Sequence, residues 1–305
     1  SSIFTKLEKM KCDAISININ SKSTAPKVKE EKKLFTLQEK QTIEFLHAEN
    51  DHDDFEKEIL LPHRNSQHGP ELAVADVNND GLQDVFFCNA YKQPSVLYLQ
   101  TSPGVFKKKN VTAFTTDKNK EDVGAHFFDY NNDGLQDIFV ADFDPLGFSN
   151  MGGLVALEMM GKETEAEKPR LYRNRGNGTF EDVTREKGLW RSMFAMGVNF
   201  GDLNNDGYLD FYVGTGAPDL RMIVPNLMFL NDKGEKFSDV TVEGRFGSIQ
   251  KGHAIGFGDI DNDGDQDVYA VMGGAIEGDA FHNLLFKNPG WENHWVTLEL
   301  EGKVS

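Results

Sequence analysis

Four stretches of this chain place oxygen-bearing side chains at alternate positions ahead of a glycine: Asp76–Asp84 (DVNNDGLQD), Asp129–Asp137 (DYNNDGLQD), Asp202–Asp210 (DLNNDGYLD) and Asp259–Asp267 (DIDNDGDQD). A hard cation such as Ca²⁺ takes about six to eight oxygen ligands at about 2.3–2.6 Å, and carboxylates joined by a backbone carbonyl supply them compactly. The pattern D-x-[DN]-x-D-G-x-x-D suits that task. Side chains at positions one, three and five converge, the glycine permits a sharp turn, position seven offers its carbonyl, and position nine closes the shell.

These roles fall to Asp76, Asn78, Asp80, Leu82 and Asp84 in the first loop, and to Asp129, Asn131, Asp133, Leu135 and Asp137 in the second. In the third they fall to Asp202, Asn204, Asp206, Tyr208 and Asp210, and in the fourth to Asp259, Asp261, Asp263, Asp265 and Asp267. The extra carboxylate at position three makes the fourth loop the most negative and, by this reading, the tightest of up to four Ca²⁺ sites. An EF-hand is excluded, because it needs flanking helices and a bidentate Glu at position twelve. That position holds Phe87, Val140, Val213 and Ala270. Turns favour Asp, Asn and Gly in any case. The four-fold return of Asp at position nine, which a turn does not require, favours metal over turn.

The loops need elements to carry them. Each is preceded by a short apolar run (ELAVAD, GAHFFD, GVNFGD, AIGFGD) and followed by another (VFFCN, IFVAD, FYVGTG, VYAVMGG). A third run (SVLYLQ, PRLYRN, NLMFLN, NLLFKN) and a fourth (FKKKNVT, FEDVT, FSDVT, HWVTLEL) complete each unit. Four short strands per repeat is the pattern of a β-propeller blade, so the expected fold is all-β, with four recognisable four-stranded blades. Helical periodicity is nearly absent; LVALEMM at 154–160 is the main exception.

The repeats are confined to the later part of the chain. Residues 1–55 read as a charged arm or linker that includes KSTAPKVKEEKK, and 56–300 as the propeller. A net charge of −17 over 305 residues argues against nucleic acid, whose phosphates require a basic footprint. No apolar run reaches the roughly 18 residues of a membrane span. Cys12 and Cys88 are too few for a disulfide scaffold; two free thiols are favoured, and the sequence does not decide whether they pair. Because the chain begins with Ser, the missing signal segment is not taken as a sign of cytoplasmic residence.

The four loops, with GTGAP at 214–218 and MGGA at 272–275, resemble FG-GAP or VCBS repeats such as those of the integrin α-subunit propeller. The closing stretch at 291–305 resembles the start of an ASPIC/UnbV segment, as in the cartilage acidic protein family. The resemblance implies a Ca²⁺-binding propeller, commonly seven-bladed, that is secreted, periplasmic or at the cell surface and acts in adhesion or ligand recognition.

Two classes of function follow. One is a recognition module for an extracellular protein or glycan; the other is a propeller-scaffold enzyme such as a polysaccharide lyase or hydrolase. No phosphate loop or nucleophile elbow supports the second, and no catalytic residues are assigned. In an antiparallel blade the second-to-third strand connections emerge opposite the Asp/Asn loops, and there the lengths vary. Phe148, Met151, Leu220, Arg221, Met222 and Phe281 are the candidate ligand-binding residues of that face. Asp142 and Asp144 in VADFDP read as a charged turn rather than an extension of a second cation site, and the histidines His47, His52, His63 and His68 are weaker metal candidates, lacking HExxH or comparable spacing.

Overall fold

The computed structural model describes residues 42–49, 51, 53–56, 59, 67, 71–116, 121–143, 168–216, 223–274, 278–291, 293 and 296. The chain divides into two units, Ser1–Gln41 and Thr42–Ser305. All described residues belong to the second.

Among the described residues, fifteen strands form four antiparallel sheets, each a meander in chain order. The first blade comprises β1 (Leu72–Ala75), β2 (Asp84–Phe87), β3 (Val96–Ser102) and β4 (Val105–Lys109). The second comprises β5 (Glu121–Phe128), β6 (Asp137–Phe143), β7 (Arg170–Asn174) and β8 (Phe180–Asp182). The third comprises β9 (Ala195–Gly201), β10 (Asp210–Thr215), β11 (Leu227–Asp232) and β12 (Lys236–Asp239). The fourth shows β13 (Gly252–Gly258), β14 (Asp267–Met272) and β15 (Leu284–Phe286). Its expected fourth strand, HWVTLEL, falls almost wholly outside the described residues, as does the LVALEMM segment. One short helix, α1 (Thr112–Thr116), follows the first blade and buries Phe114.

The continuous apolar runs have a physical cause: each middle blade is covered on both faces. On β6, Ile138 and Val140 point into a core shared with the first blade, while Phe139 and Ala141 enter the core shared with the third. On β10, Phe211 and Val213 face the second blade and Tyr212 faces the fourth. Three apolar cores therefore lie between four blades. Each fully buried Phe or Leu contributes about 1.5–3 kcal/mol relative to exposure.

At the two ends of the succession the alternation changes. Ala73 and Ala75 are buried while Leu72 and Val74 are exposed; Val268 and Ala270 are buried while Tyr269 is exposed. Among the described residues β1 packs on β5, β6 on β9 and β9 on β13, with no comparable packing of β13 on β1.

β9 and β13 approach so closely that a Cβ on Gly197 would lie 1.8 Å from the His253 carbonyl oxygen. Only glycine fits. Ahead of the first blade, Phe45 stacks on Phe87 at 4.4 Å and the Tyr98 hydroxyl donates to the Glu44 carbonyl at 2.5 Å.

Candidate functional site

Each Asp/Asn loop joins the first and second strands of its blade, and the four share one geometry. The glycine at position six has φ of +87° at Gly81, +83° at Gly134, +87° at Gly207 and +92° at Gly264. The asparagine at position four is also left-handed, with φ of 54–60° at Asn79, Asn132, Asn205 and Asn262. Asn is among the few residues with side chains that tolerate this conformation. Two consecutive inward N–H groups then grip the first aspartate: Asp80 N–H donates to one Asp76 oxygen at 3.1 Å and Gly81 N–H to the other at 2.7 Å. The same pair forms on Asp129, Asp202 and Asp259. Position seven turns back as well, its N–H donating to the position-five aspartate at 2.9 Å for Leu82 and Tyr208 and 3.1 Å for Leu135 and Asp265.

In the first three loops the position-three asparagine donates its amide N–H to the position-five carboxylate at 2.9–3.3 Å, so positions one, three and five lie together. In the fourth, carboxylate oxygens of Asp259, Asp261 and Asp267 lie within 4.8 Å of one another. An all-oxygen donor set is the chemistry a hard divalent cation requires, and the residues fit Ca²⁺.

Position nine does more than sequence reasoning assigned to it. Asp84, Asp137, Asp210 and Asp267 are buried. Each accepts a backbone N–H from position two of its own loop, from Val77, Tyr130, Leu203 and Ile260 in turn. Each accepts a second from the third strand or just after it, from Gln100, Asn174, Asn231 and Asn288. The position thus has a structural use without any metal, so its recurrence alone does not separate ligand from turn. Burial, followed by the charge of neighbouring loop carboxylates, pushes Asp137 and Asp210 up to about 7 despite those N–H donors. A bound cation would supply the missing positive charge.

Two sets of side-chain amides link the loops across blades. Asn174, Asn231 and Asn288 each donate to the position-two carbonyl of the preceding loop, at Val77, Tyr130 and Leu203, over 2.7–2.8 Å. Asn79, Asn132 and Asn205 each donate to the glycine carbonyl of the following loop, at Gly134, Gly207 and Gly264, over 2.9–3.3 Å. Sequence reasoning missed both sets. The signal was present: three of the four third-strand runs end in Asn and the first ends in Gln100, which bonds only within its own blade.

The second-to-third strand connections emerge at the opposite ends of the blades, as the antiparallel order requires. Phe281 lies there and is 47% exposed. Phe148, Met151, Leu220, Arg221 and Met222 lie outside the described residues. The same end carries buried charge that sequence reasoning did not single out, including a Lys251–Asp279 ion pair of 2.6 Å. Asp142 is buried at this end of β6, away from the second loop. His47 bonds Glu49 at 2.7 Å; His52, His63 and His68 are not among the described residues.

Residues 76–140 and 155–213 match the FG-GAP-like repeat family model. Those two stretches are therefore similar to FG-GAP-like repeats. The fourth loop lies beyond the matched residues yet repeats their geometry. No curated protein matches the sequence. Among solved structures, the chain is similar to an Agrocybe aegerita lectin described in recognition of non-reducing terminal N-acetylglucosamine. Identity is 15%, with 73% of this chain and 50% of that chain covered and a TM-score of 0.42. It is also similar to an exo-β-1,3-galactanase from Phanerochaete chrysosporium, solved with β-1,3-galactotriose. Here identity is 10%, coverage 66% and 43%, and the TM-score 0.35. The chain spans half or less of each of these proteins.

Proposed function

We propose that the FG-GAP-like repeats bind Ca²⁺, one ion per loop, and that the chain serves outside the cytoplasm as a recognition module for a protein or glycan. The observation that carries the metal reading is the four-fold recurrence of one loop in which an aspartate is fixed by two backbone N–H groups while acidic or amide oxygens gather beside it. Bound Ca²⁺ supplies charge that offsets the crowding of the carboxylates. The chain supplies the rest: the N–H pairs orient position one, and the third strand holds position nine. Extracellular sites of this kind have Kd near roughly 10⁻⁴ M, and such sites stay empty in a calcium-poor cytosol. This supports a secreted, periplasmic or surface location.

Recognition is assigned to the end opposite the loops. Constant nine-residue loops suit a structural role, and connections of varied length on a rigid scaffold suit binding. Calorimetric titration with CaCl₂ tests the metal reading; heat saturating near four equivalents is expected, and no uptake at millimolar calcium would overturn it. Exchanging the connection that carries Phe281 tests the face, since full retention of partner capture from a glycan or protein panel would overturn it.

A further inference from the structure

One position in the third strand separates the loops into two kinds. Immediately before Gln100, Asn174, Asn231 and Asn288 stand Leu99, Arg173, Leu230 and Lys287. Leu99 and Leu230 are partly buried and pack against the interblade cores. Arg173 instead reaches the second loop, its guanidinium 3.3 Å from an Asp133 oxygen. Lys287 reaches the fourth loop and forms an ion pair with Asp261. Both acceptors are residues assigned to the cation shell, at positions five and three.

We propose that Arg173 and Lys287 are resident counter-cations of the second and fourth loops, occupying a ligand carboxylate until a divalent ion displaces them. The inference rests on the calcium reading above and concerns its regulation. A +1 group near the shell neutralises part of the loop charge, which lowers the need for metal during folding and opposes the arrival of a +2 ion. The first and third loops have leucine there and lack this substitute. Loops with a resident cation are thus less dependent on calcium for their conformation, and each binds it less tightly than its carboxylates alone would dictate.

Calcium titration of ¹⁵N-glycine-labelled full-length protein tests this, because the position-six amides of Gly81, Gly134, Gly207 and Gly264 each report one loop. Arg173→Leu is expected to lower the half-saturating calcium at Gly134 by about two- to fivefold, and Lys287→Leu to do so at Gly264, with Gly81 unchanged in both. Leu230→Lys is expected to raise the half-saturation at Gly207 by a similar factor, and Arg173→Gln provides the second-loop test if the leucine variant does not fold. The melting temperature without calcium should fall in Arg173→Leu while its calcium-induced rise grows; a merely structural arginine would lower both. Unchanged half-saturation at Gly134 and Gly264 in variants of a protein that does bind calcium would overturn this proposal alone. Glycine amides that respond to calcium in no loop of any variant would overturn the calcium reading itself.

Discussion

The side-chain amide of Asn231 lies 2.8 Å from the carbonyl oxygen of Tyr130, a residue 101 positions earlier in the chain and in the neighbouring blade. Its second amide hydrogen bonds the Leu209 carbonyl at 3.2 Å, and its oxygen accepts the Gly234 N–H at 2.8 Å. Both Asn231 and Tyr130 are buried. The side chain therefore fastens two loops and a hairpin turn at one point.

Asn231→Ala is expected to destabilise the protein by about 1–3 kcal/mol, because it strands buried backbone groups with no access to water. Gln100, at the equivalent place in the first blade, donates to the Gln83 carbonyl and accepts the Gly104 N–H within its own blade, so Gln100→Ala should cost less than about 1 kcal/mol. Urea denaturation of the two variants checks the difference; equal midpoints would contradict the interblade role.

Aspartates five and nine of one loop should differ in what they do. Asp210 accepts the Leu203 and Asn231 N–H groups at 2.8 and 2.7 Å, so Asp210→Asn turns an amide donor toward a backbone donor. It should lose about 1–3 kcal/mol in chelator as well as in calcium. Asp206→Asn keeps an oxygen for Tyr208 N–H and should leave the chelated protein nearly as stable, while weakening calcium uptake. Thermal melts of both variants with EGTA and with calcium separate the cases.

Gly197→Ala should prise β9 from β13. The added carbon has no room beside the His253 carbonyl, and backbone, unlike a flexible side-chain end, cannot swing aside. A loss of about 1–3 kcal/mol is expected, measured by chemical denaturation. The neighbouring Met196→Ala, at a partly exposed side chain, is the control and should cost less.

Cys88 is fully buried, and burial pushes its thiol well above the usual range, so little reactive thiolate forms near neutral pH. Alkylation followed by peptide mapping should find Cys88 unmodified in the native protein and modified after denaturation. Modification at native-state rates equal to those of a free peptide would show that the first core is open.

The loops and most strands were legible because their signals are local. Asp, Asn and Gly mark a turn by their own conformational preferences, and short apolar runs mark strands buried on one or both faces. What joins the blades was not legible. The recurring Asn at the end of the third run marks the position, but Asn174 and Val77 meet only after two blades have packed, and neither residue's neighbours name its partner. α1 escaped notice because five residues, TAFTT, are too few to show a helical period; Phe114 is placed by packing against Phe86, Tyr172 and Phe180. Position nine was misjudged in weight, since its backbone partners at Gln100, Asn174, Asn231 and Asn288 lie on another strand or just past its end.

The amides of Asn79, Asn132 and Asn205 reach forward to the next loop while those of Asn174, Asn231 and Asn288 reach back. Every seam between the described blades is thus sewn in both directions, in addition to the chain that connects them. A protease that cuts one connection should leave a nicked molecule whose halves still share an apolar core and two amide stitches. Pulling the halves apart would strip both at once, so shorter recombinant pieces that end at a seam inherit bare carbonyls and an uncovered apolar face. The smallest piece that can be handled on its own is set by seams, not by repeats.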